Sequence, residues 1–304
     1  MLRRLGAALL ASTGIAASAL AVTAAAPAAA PQAQAQIPGS SALTPYLPSV
    51  PGRCAPNIVI NIPGGANTFG SSPDNLPMGA YSRDVGTRLR LAAPDRVIDR
   101  YVGYDSIPGG AYTYEQTRDN GLNTARAALA QEAAACPNSK FALFGYSMGA
   151  DIGARLTQEI SQGKGPIAQE RLTSAVFMAN PNRGVPGVQQ AGGAGPTEGA
   201  YGALPGGYGP VTNRVLDICR PGDIVCDTRD SGRLLAQVFA QTAILALKLP
   251  VDQLNANVAK LPPQEQINFY TQLPANALGT ILHTDYYTVN GSGLATDYIT
   301  SHLG

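Results

Sequence analysis

The chain predicts an α/β fold built on a mostly parallel sheet, and three features of its 304 residues carry that prediction. Short apolar runs alternate with stretches of helical periodicity, the order that lays strands parallel and puts helices on both faces of a sheet. The run Phe141-Ala-Leu-Phe144 breaks at Gly145-Tyr-Ser147-Met-Gly149 into a helical pattern, which marks a sharp strand-to-helix turn. The residues best suited to chemistry follow the expected strands directly, where sheets of this kind gather their sites.

Taken in order, the chain opens with Arg3-Arg4, an alanine-dominated apolar stretch from Leu5 to Val22, and a small-residue segment, Ala28 to Ala35. That pattern is expected to be a secretory signal peptide over residues 1–35, cut between Ala28 and Gln36. Residues 36–53 are proline-rich and read as an extended lead-in, so the domain is expected over 54–304. Its first strand is Asn57 to Ile62, ending in Pro63-Gly64-Gly65-Ala-Asn67-Thr68, and its second runs from Arg96 to Val102. Leu122, Ala125, Ala128, Leu129 and Ala133 recur at helical spacing, which predicts a helix from Tyr114 to Ala135. The strand around Phe141 to Phe144 and a helix towards Ile160 flank the serine turn, and Ser174 to Ala179 and Asn213 to Ile218 complete five strands. Gly184 to Pro210 is glycine-rich and nearly aperiodic, the composition of a surface flap. Leu234 to Leu273 is a more apolar insertion that includes a helical pattern from Leu235 to Leu249; it either packs on the domain or shields a lipid-facing cleft. A terminal helix is expected from Leu294 to Leu303.

Composition narrows the function classes. A net charge of +1 and no basic run beyond the leader argue against nucleic acid as a partner. Only 13% of residues are charged, which suits a neutral surface in an extracellular or envelope setting. After removal of the leader about 270 residues remain, ample for one core and one monomeric domain. Cys54, Cys136, Cys219 and Cys226 are an even set that fits export to an oxidising compartment, and three pairings are possible in principle. The close pair Cys219 and Cys226 brackets Gly222-Asp223, which leaves Cys54 for Cys136. By loop entropy the long bridge contributes roughly 4 to 5 kcal/mol and the short one roughly 2 to 3, so the short one acts more as a clamp. Two histidines and no C-x-x-C spacing speak against zinc, and no metal or cofactor is implied.

At the serine turn, Gly145 and Gly149 leave room for a bend that side chains would obstruct, and Ser147 stands at its apex. The helix that follows offers a backbone N–H and the positive end of its dipole to a developing oxyanion. A serine hydroxyl needs a general base, and the base needs a carboxylate to fix its tautomer. His283 lies between Leu278-Gly-Thr-Ile-Leu282 and Thr284-Asp-Tyr-Tyr287, in a segment expected to be a loop, whereas His302 falls in the last residues of the chain as a solvated or capping residue. For the acid, Asp223 sits within Cys219-Arg-Pro-Gly-Asp-Ile-Val-Cys226, with Asp217, Asp227 and Asp285 as alternatives. The chain order Ser147, Asp223, His283 is the order of α/β-hydrolases.

The turn Gly145-Tyr-Ser-Met-Gly-Ala150, the element Cys219-x-x-Gly-Asp-x-Val-Cys226 and the late His283 together resemble the cutinase family, and most closely its envelope lipases from mycolate-containing actinobacteria. The likeness covers most of residues 54–304. It implies a three-layer α/β-hydrolase with a five-stranded, mostly parallel sheet, a helical insertion before the histidine, and a triad of Ser147, Asp223 and His283. Where the family usually places glutamine after the nucleophile this chain has Met148, whose amide can still donate, and where it usually places Ser or Thr in the first-strand loop this chain has Gly65. The oxyanion hole is therefore expected from the N–H groups of Met148 and Gly65, with Asn67 or Thr68 as side-chain substitutes. The resemblance implies a secreted or envelope serine esterase or lipase acting on aliphatic esters, phospholipids or thioesters, in peripheral contact with envelope lipids. The rival expectations are an acyltransferase on the same triad and a non-catalytic lipid or cell-wall binding protein.

Overall fold

The computed structural model describes residues 54–107, 112–228, 233, 234, 236, 237 and 251–304. The expected signal peptide and lead-in, and nearly all of the helical pattern from Leu235 to Leu249, lie outside the described residues.

Six strands form one sheet: β1 (Asn57–Ile62), β2 (Val97–Tyr101), β3 (Lys140–Tyr146), β4 (Leu172–Met178), β5 (Gln189–Ala191) and β6 (Val215–Ile218). Their spatial order is β2-β1-β3-β4-β6-β5, and every pairing is parallel. Between them run α1 (Ala80–Ala92), α2 (Tyr114–Ala135) and α3 (Met148–Ser161); α4 (Val251–Val258), α5 (Pro263–Leu282) and α6 (Gly291–Ser301) follow the last strand. β1 and β4 lie between helical layers and are buried almost throughout, as parallel strands covered on both faces must be. On one side Leu122, Ala125 and Leu129 of α2 and Ile152 and Leu156 of α3 pack on Ile58, Ile60 and Leu143; on the other, α1 and α6 cover Val59, Phe144 and Val176 through Tyr81, Val85, Leu89, Ala295 and Ile299. The expected three-layer α/β arrangement is present. Strand order reverses between β1 and β3, so the crevice for a site opens beyond Ile62 and Tyr146.

Three expectations change. The sheet has six strands rather than five, because the glycine-rich segment after Gly184 contributes β5, whose Gln190 pairs with Asp217. That segment is anchored, not a loose flap: Val185, Val188, Leu204 and Tyr208 are buried, and the Arg183 guanidinium beneath it donates to Gly195 O and Gln190 Oε1 at 2.7 Å and to Thr197 Oγ1 at 2.9 Å. Sequence reading also passed over α1, which starts at Gly79 with φ 72° and no side-chain cap, leaving only Tyr81, Val85 and Leu89 at four-residue spacing as its signal. By contrast α2 occupies its expected span and opens with a capping box between Thr113 and Gln116.

The described part of the insertion packs on the domain. Val258 of α4 and Phe269 of α5 are buried in one cluster with Ala200 and Ile224. Cys54 bonds Cys136, joining the start of β1 to the end of α2 across 82 residues, and Cys219 bonds Cys226 across 7. Among the described residues no helix is long and apolar enough to cross a membrane.

Candidate active site

Ser147 is held in a conformation that L-residues rarely adopt, φ 56° and ψ −120°, between β3 and α3. The glycines around it are required by close approach: a Cβ on Gly145 would stand 2.3 Å from Gly149 O, and one on Gly149 would stand 2.0 Å from Ile62 O. β1 therefore lies directly against the turn. Such strain persists only where surrounding contacts over-determine it. Here Ser147 N donates to Met178 O at 2.9 Å. One helical turn on, the buried Asp151 carboxylate accepts from Asn182 Nδ2 and Arg155 Nε, both at 2.7 Å, and from Tyr114 Oη at 3.1 Å, tying α3 to α2 and to the segment after β4.

The structure brings the three expected residues together. Ser147 Oγ lies 2.8 Å from His283 Nε2, and His283 Nδ1 lies 3.0 and 3.1 Å from the two carboxylate oxygens of Asp223. Asp223 is fully buried and the imidazole is 12% exposed, so the acid end of the chain of groups is dry and the base keeps limited access to solvent. An imidazole that donates from Nδ1 to the carboxylate presents the lone pair of Nε2 to the hydroxyl. The alternative acids are occupied elsewhere: Asp217 accepts from Asn180 Nδ2, Asp227 from Thr197 Oγ1 and Gly222 N, and Asp285 from Arg220. His302 caps α6, its Nδ1 2.8 Å from Tyr298 O.

His283 does not sit in a loop, as its sequence context predicts, but is the C-cap residue of α5. Helix end and disulfide ring share a carbonyl: Gly279 O accepts from His283 N at 3.1 Å and from Ile224 N at 3.3 Å. A Cβ on Gly279 would come within 2.8 Å of Gly222 O, so glycine is what allows α5 to rest on the ring that carries Asp223. Arg220 reaches from the ring to Asp285 just beyond the histidine, its Nη1 2.5 Å from the carboxylate and 2.7 Å from the carbonyl.

Four tyrosines that sequence reasoning missed brace this corner. Tyr146 lies nearly parallel to the His283 ring, centroids 5.5 Å apart, and donates to His283 O at 2.7 Å. Tyr81 donates to Thr284 O at 2.6 Å and accepts from Tyr286 N at 2.7 Å, while its ring also meets Tyr287. Tyr286 donates to Asp223 Oδ2 at 2.5 Å. Burial, then the Asp223 charge, hold the Tyr146 and Tyr286 phenols well above the ordinary tyrosine range. Only the proximity of Tyr286 and Tyr287 to His283 in the chain, and of Tyr146 to Ser147, hinted at them.

In the first-strand loop, a Cβ on Gly64 would stand 3.3 Å from Ser147 Cβ, which sets this backbone against the nucleophile. Asn67 turns its amide to Gly65 O at 2.5 Å, and Thr68 Oγ1 faces Ser72 Oγ at 3.4 Å, so both expected side-chain substitutes are engaged within the loop. Ser106 Oγ accepts the N–H groups of Asn67 and Thr68 at 3.1 Å and fixes the loop's course. Among the described residues no group of His, Cys, Asp and Glu has the arrangement of a metal site.

A family model described as Cutinase matches residues 72–241, a span that contains Ser147 and Asp223 and stops short of His283. A carboxylesterase Culp6 homolog from Corynebacterium glutamicum is 25% identical over 215 residues, 59% of this chain and 68% of that protein. Carboxylesterase Culp1 from Mycobacterium tuberculosis is 25% identical over 157 residues, 51% of this chain and 65% of that protein. The chain thus spans about two thirds of the length of these relatives. Among solved structures, the catalytic core domain of acetyl xylan esterase from Trichoderma reesei aligns at 22% identity with a TM-score of 0.46, covering 62% of this chain and 93% of that one.

Proposed function

The chain belongs to the cutinase family, whose matched relatives are carboxylesterases, and from that premise we propose that it hydrolyses carboxylic esters through an acyl-enzyme on Ser147. The observation that carries the reading is the continuous contact from Ser147 Oγ to His283 Nε2 at 2.8 Å and from His283 Nδ1 to the buried Asp223 at 3.0 Å.

In acylation, Ser147 Oγ attacks the ester carbonyl while Nε2 takes its proton, and the imidazolium formed is stabilised by the carboxylate beside it. The negative charge that develops on the carbonyl oxygen meets the N–H of Met148, in the first turn of α3 where an amide has no intrahelical acceptor, and the N–H of Gly65. Collapse of the tetrahedral intermediate breaks the bond to the alcohol, which leaves with the proton from Nε2. Water, deprotonated by the same nitrogen, then attacks the acyl group and releases the acid. No metal or cofactor enters these steps.

The substrate is an ester of an aliphatic acid, with phospholipids and thioesters of such acids in the same chemical range. The apolar exposure of Leu278, Ile281 and Tyr287 beside the histidine supports an aliphatic acyl chain. Secretion is consistent with two disulfides, which persist in oxidising compartments.

The test is turnover of p-nitrophenyl esters across acyl lengths by the wild type and by Ser147→Ala. The variant should lose on the order of a million-fold in kcat while keeping its melting temperature. Hydrolysis retained in that variant would refute the nucleophile assignment.

A further inference from the structure

The hydroxyl of Tyr286 occupies the point where the disulfide ring meets the histidine segment. It donates to Asp223 Oδ2 at 2.5 Å, accepts from Arg220 N at 3.3 Å, and lies 3.1 Å from Cys226 Sγ. The residue is wholly buried, and its ring is set edge-on against Tyr81 and Tyr146, with centroids 6.0 and 6.2 Å away. Its own amide is fixed by Tyr81 Oη. The phenol therefore has one orientation available, and that orientation points at the acid.

The carboxylate has one fixed donor on each oxygen. Val225 N serves Oδ1 at 2.8 Å and Tyr286 Oη serves Oδ2 at 2.5 Å, and His283 Nδ1 faces both oxygens. Two rigid donors on opposite oxygens fix the rotation of a carboxylate about its Cβ–Cγ bond. An O–H donor at this distance from an anion is of the strong, charge-assisted kind. It also withdraws part of the negative charge that the imidazolium would otherwise feel.

We propose that Tyr286 is a positioning residue that sets both the orientation and the effective charge of Asp223, and through it the basicity of His283; this rests on the assignment of Ser147, His283 and Asp223 given above. Because its phenol is held protonated by burial and by the neighbouring carboxylate, Tyr286 remains a donor through the working pH range. Removing the donor leaves the full carboxylate charge on the imidazole, which favours the imidazolium and raises the pH at which His283 becomes a competent base.

The experiment measures the pH dependence of kcat/KM for a short p-nitrophenyl ester in three proteins: wild type, Tyr286→Phe, and protein with 3-fluorotyrosine at position 286. Tyr286→Phe keeps the ring contacts and loses the donor; it should show plateau kcat/KM lower by about tenfold, the loss of one hydrogen bond to a charged group, with KM little changed and the acid limb displaced to higher pH. The fluorinated phenol is a stronger donor of nearly the same shape, and should displace the acid limb to lower pH. Thr288→Ala serves as the structural comparator: it removes the hydroxyl that bonds Asp285 in the same segment and touches neither Tyr286 nor the carboxylate, so it should lower the melting temperature and leave the acid limb in place. An acid limb at the wild-type position in both Tyr286 proteins would overturn the proposal, as would displacements of the same sign. Should Tyr286→Phe fail to fold, the fluorinated protein alone decides by the sign of its displacement. Fluorophosphonate labelling of Ser147 is followed in parallel: a folded wild type that does not label would sink the catalytic assignment itself, whereas normal labelling with unmoved pH profiles would sink only the role of Tyr286.

Discussion

Replacing Asp223 by Asn is the most searching perturbation of the site, because it changes charge and tautomer while hardly changing shape. The carboxylate is fully buried and lies 3.0 Å from His283 Nδ1. At that separation and an effective dielectric of about 20, opposite unit charges attract by about 5 kcal/mol, close to four decades in rate if the attraction exists only once the imidazole is protonated. Geometry adds to this. An amide NH2 turned towards Nδ1 would make that nitrogen an acceptor and move the ring proton to Nε2, which could then no longer take the proton of Ser147. We expect kcat/KM for p-nitrophenyl butyrate to fall by about ten thousand-fold and fluorophosphonate labelling to slow in parallel, with the protein still folded but its melting temperature lowered, because the amide NH2 must face Val225 N or Tyr286 Oη. A folded Asp223→Asn protein that retains more than a tenth of wild-type kcat/KM would refute the reasoning and return the choice of acid to Asp217, Asp227 and Asp285.

Two further predictions concern buried charges away from the serine. Arg183→Met keeps a similar apolar stem but strands the acceptors of a guanidinium that now serves Gly195 O, Thr197 O, Cys226 O and the side chains of Gln190 and Thr197. Each stranded acceptor costs about 1 to 3 kcal/mol, so urea denaturation should show a loss of 3 kcal/mol or more, with limited proteolysis first cutting between residues 184 and 210; unchanged stability would show that β5 holds without its anchor. Asp217 is raised to about 6, chiefly by burial, so the folded state binds a proton that the unfolded state has already released. That proton stabilises the fold fully below the ordinary aspartate pKa of about 4, and the contribution is lost as pH rises through about 6. Melting temperatures measured from pH 7 down to pH 4 should therefore rise for the wild type relative to Asp217→Asn, and parallel curves for the two proteins would contradict the assignment.

How much of this was legible in the chain depended on whether a feature was local. The turn at Ser147 could be read because its steric demand falls on residues two positions away: a Cβ on Gly145 meets Gly149 O. The ring carrying Asp223 could be read because its cysteines stand only seven positions apart, and the span of α2 because Thr113 and Gln116 cap it from within. Histidine scarcity did the same for His283, even though its setting was misjudged: Leu278 to Leu282 is short enough to pass for a strand or loop edge and proves to be the last turn of a 20-residue helix. β5 was hidden for a related reason. A three-residue strand is specified by the edge it joins, β6, and by a guanidinium beneath it, and neither leaves a period in the sequence.

The tyrosines around His283 were illegible for a deeper reason, which also explains why they matter. Tyr81 lies 203 residues from Thr284 and Tyr146 lies 137 from His283, yet each hydroxyl donates to a backbone carbonyl of the segment that holds the imidazole. No local pattern can announce such a contact, since each phenol serves a carbonyl, and every residue has one. The burden these hydroxyls carry follows from the fold: α5 approaches the sheet from outside its βα order, and its C-terminal residue must still be held in register with a serine on β3 and an acid after β6. Hydrogen bonds from α1 and β3 fix the end of that helix from the sheet side, and Gly279, Arg220 and Tyr286 fix it from the ring side. A helix inserted between acid and base can therefore vary in its outer turns without disturbing the base, provided that its last turn keeps these two sets of anchors.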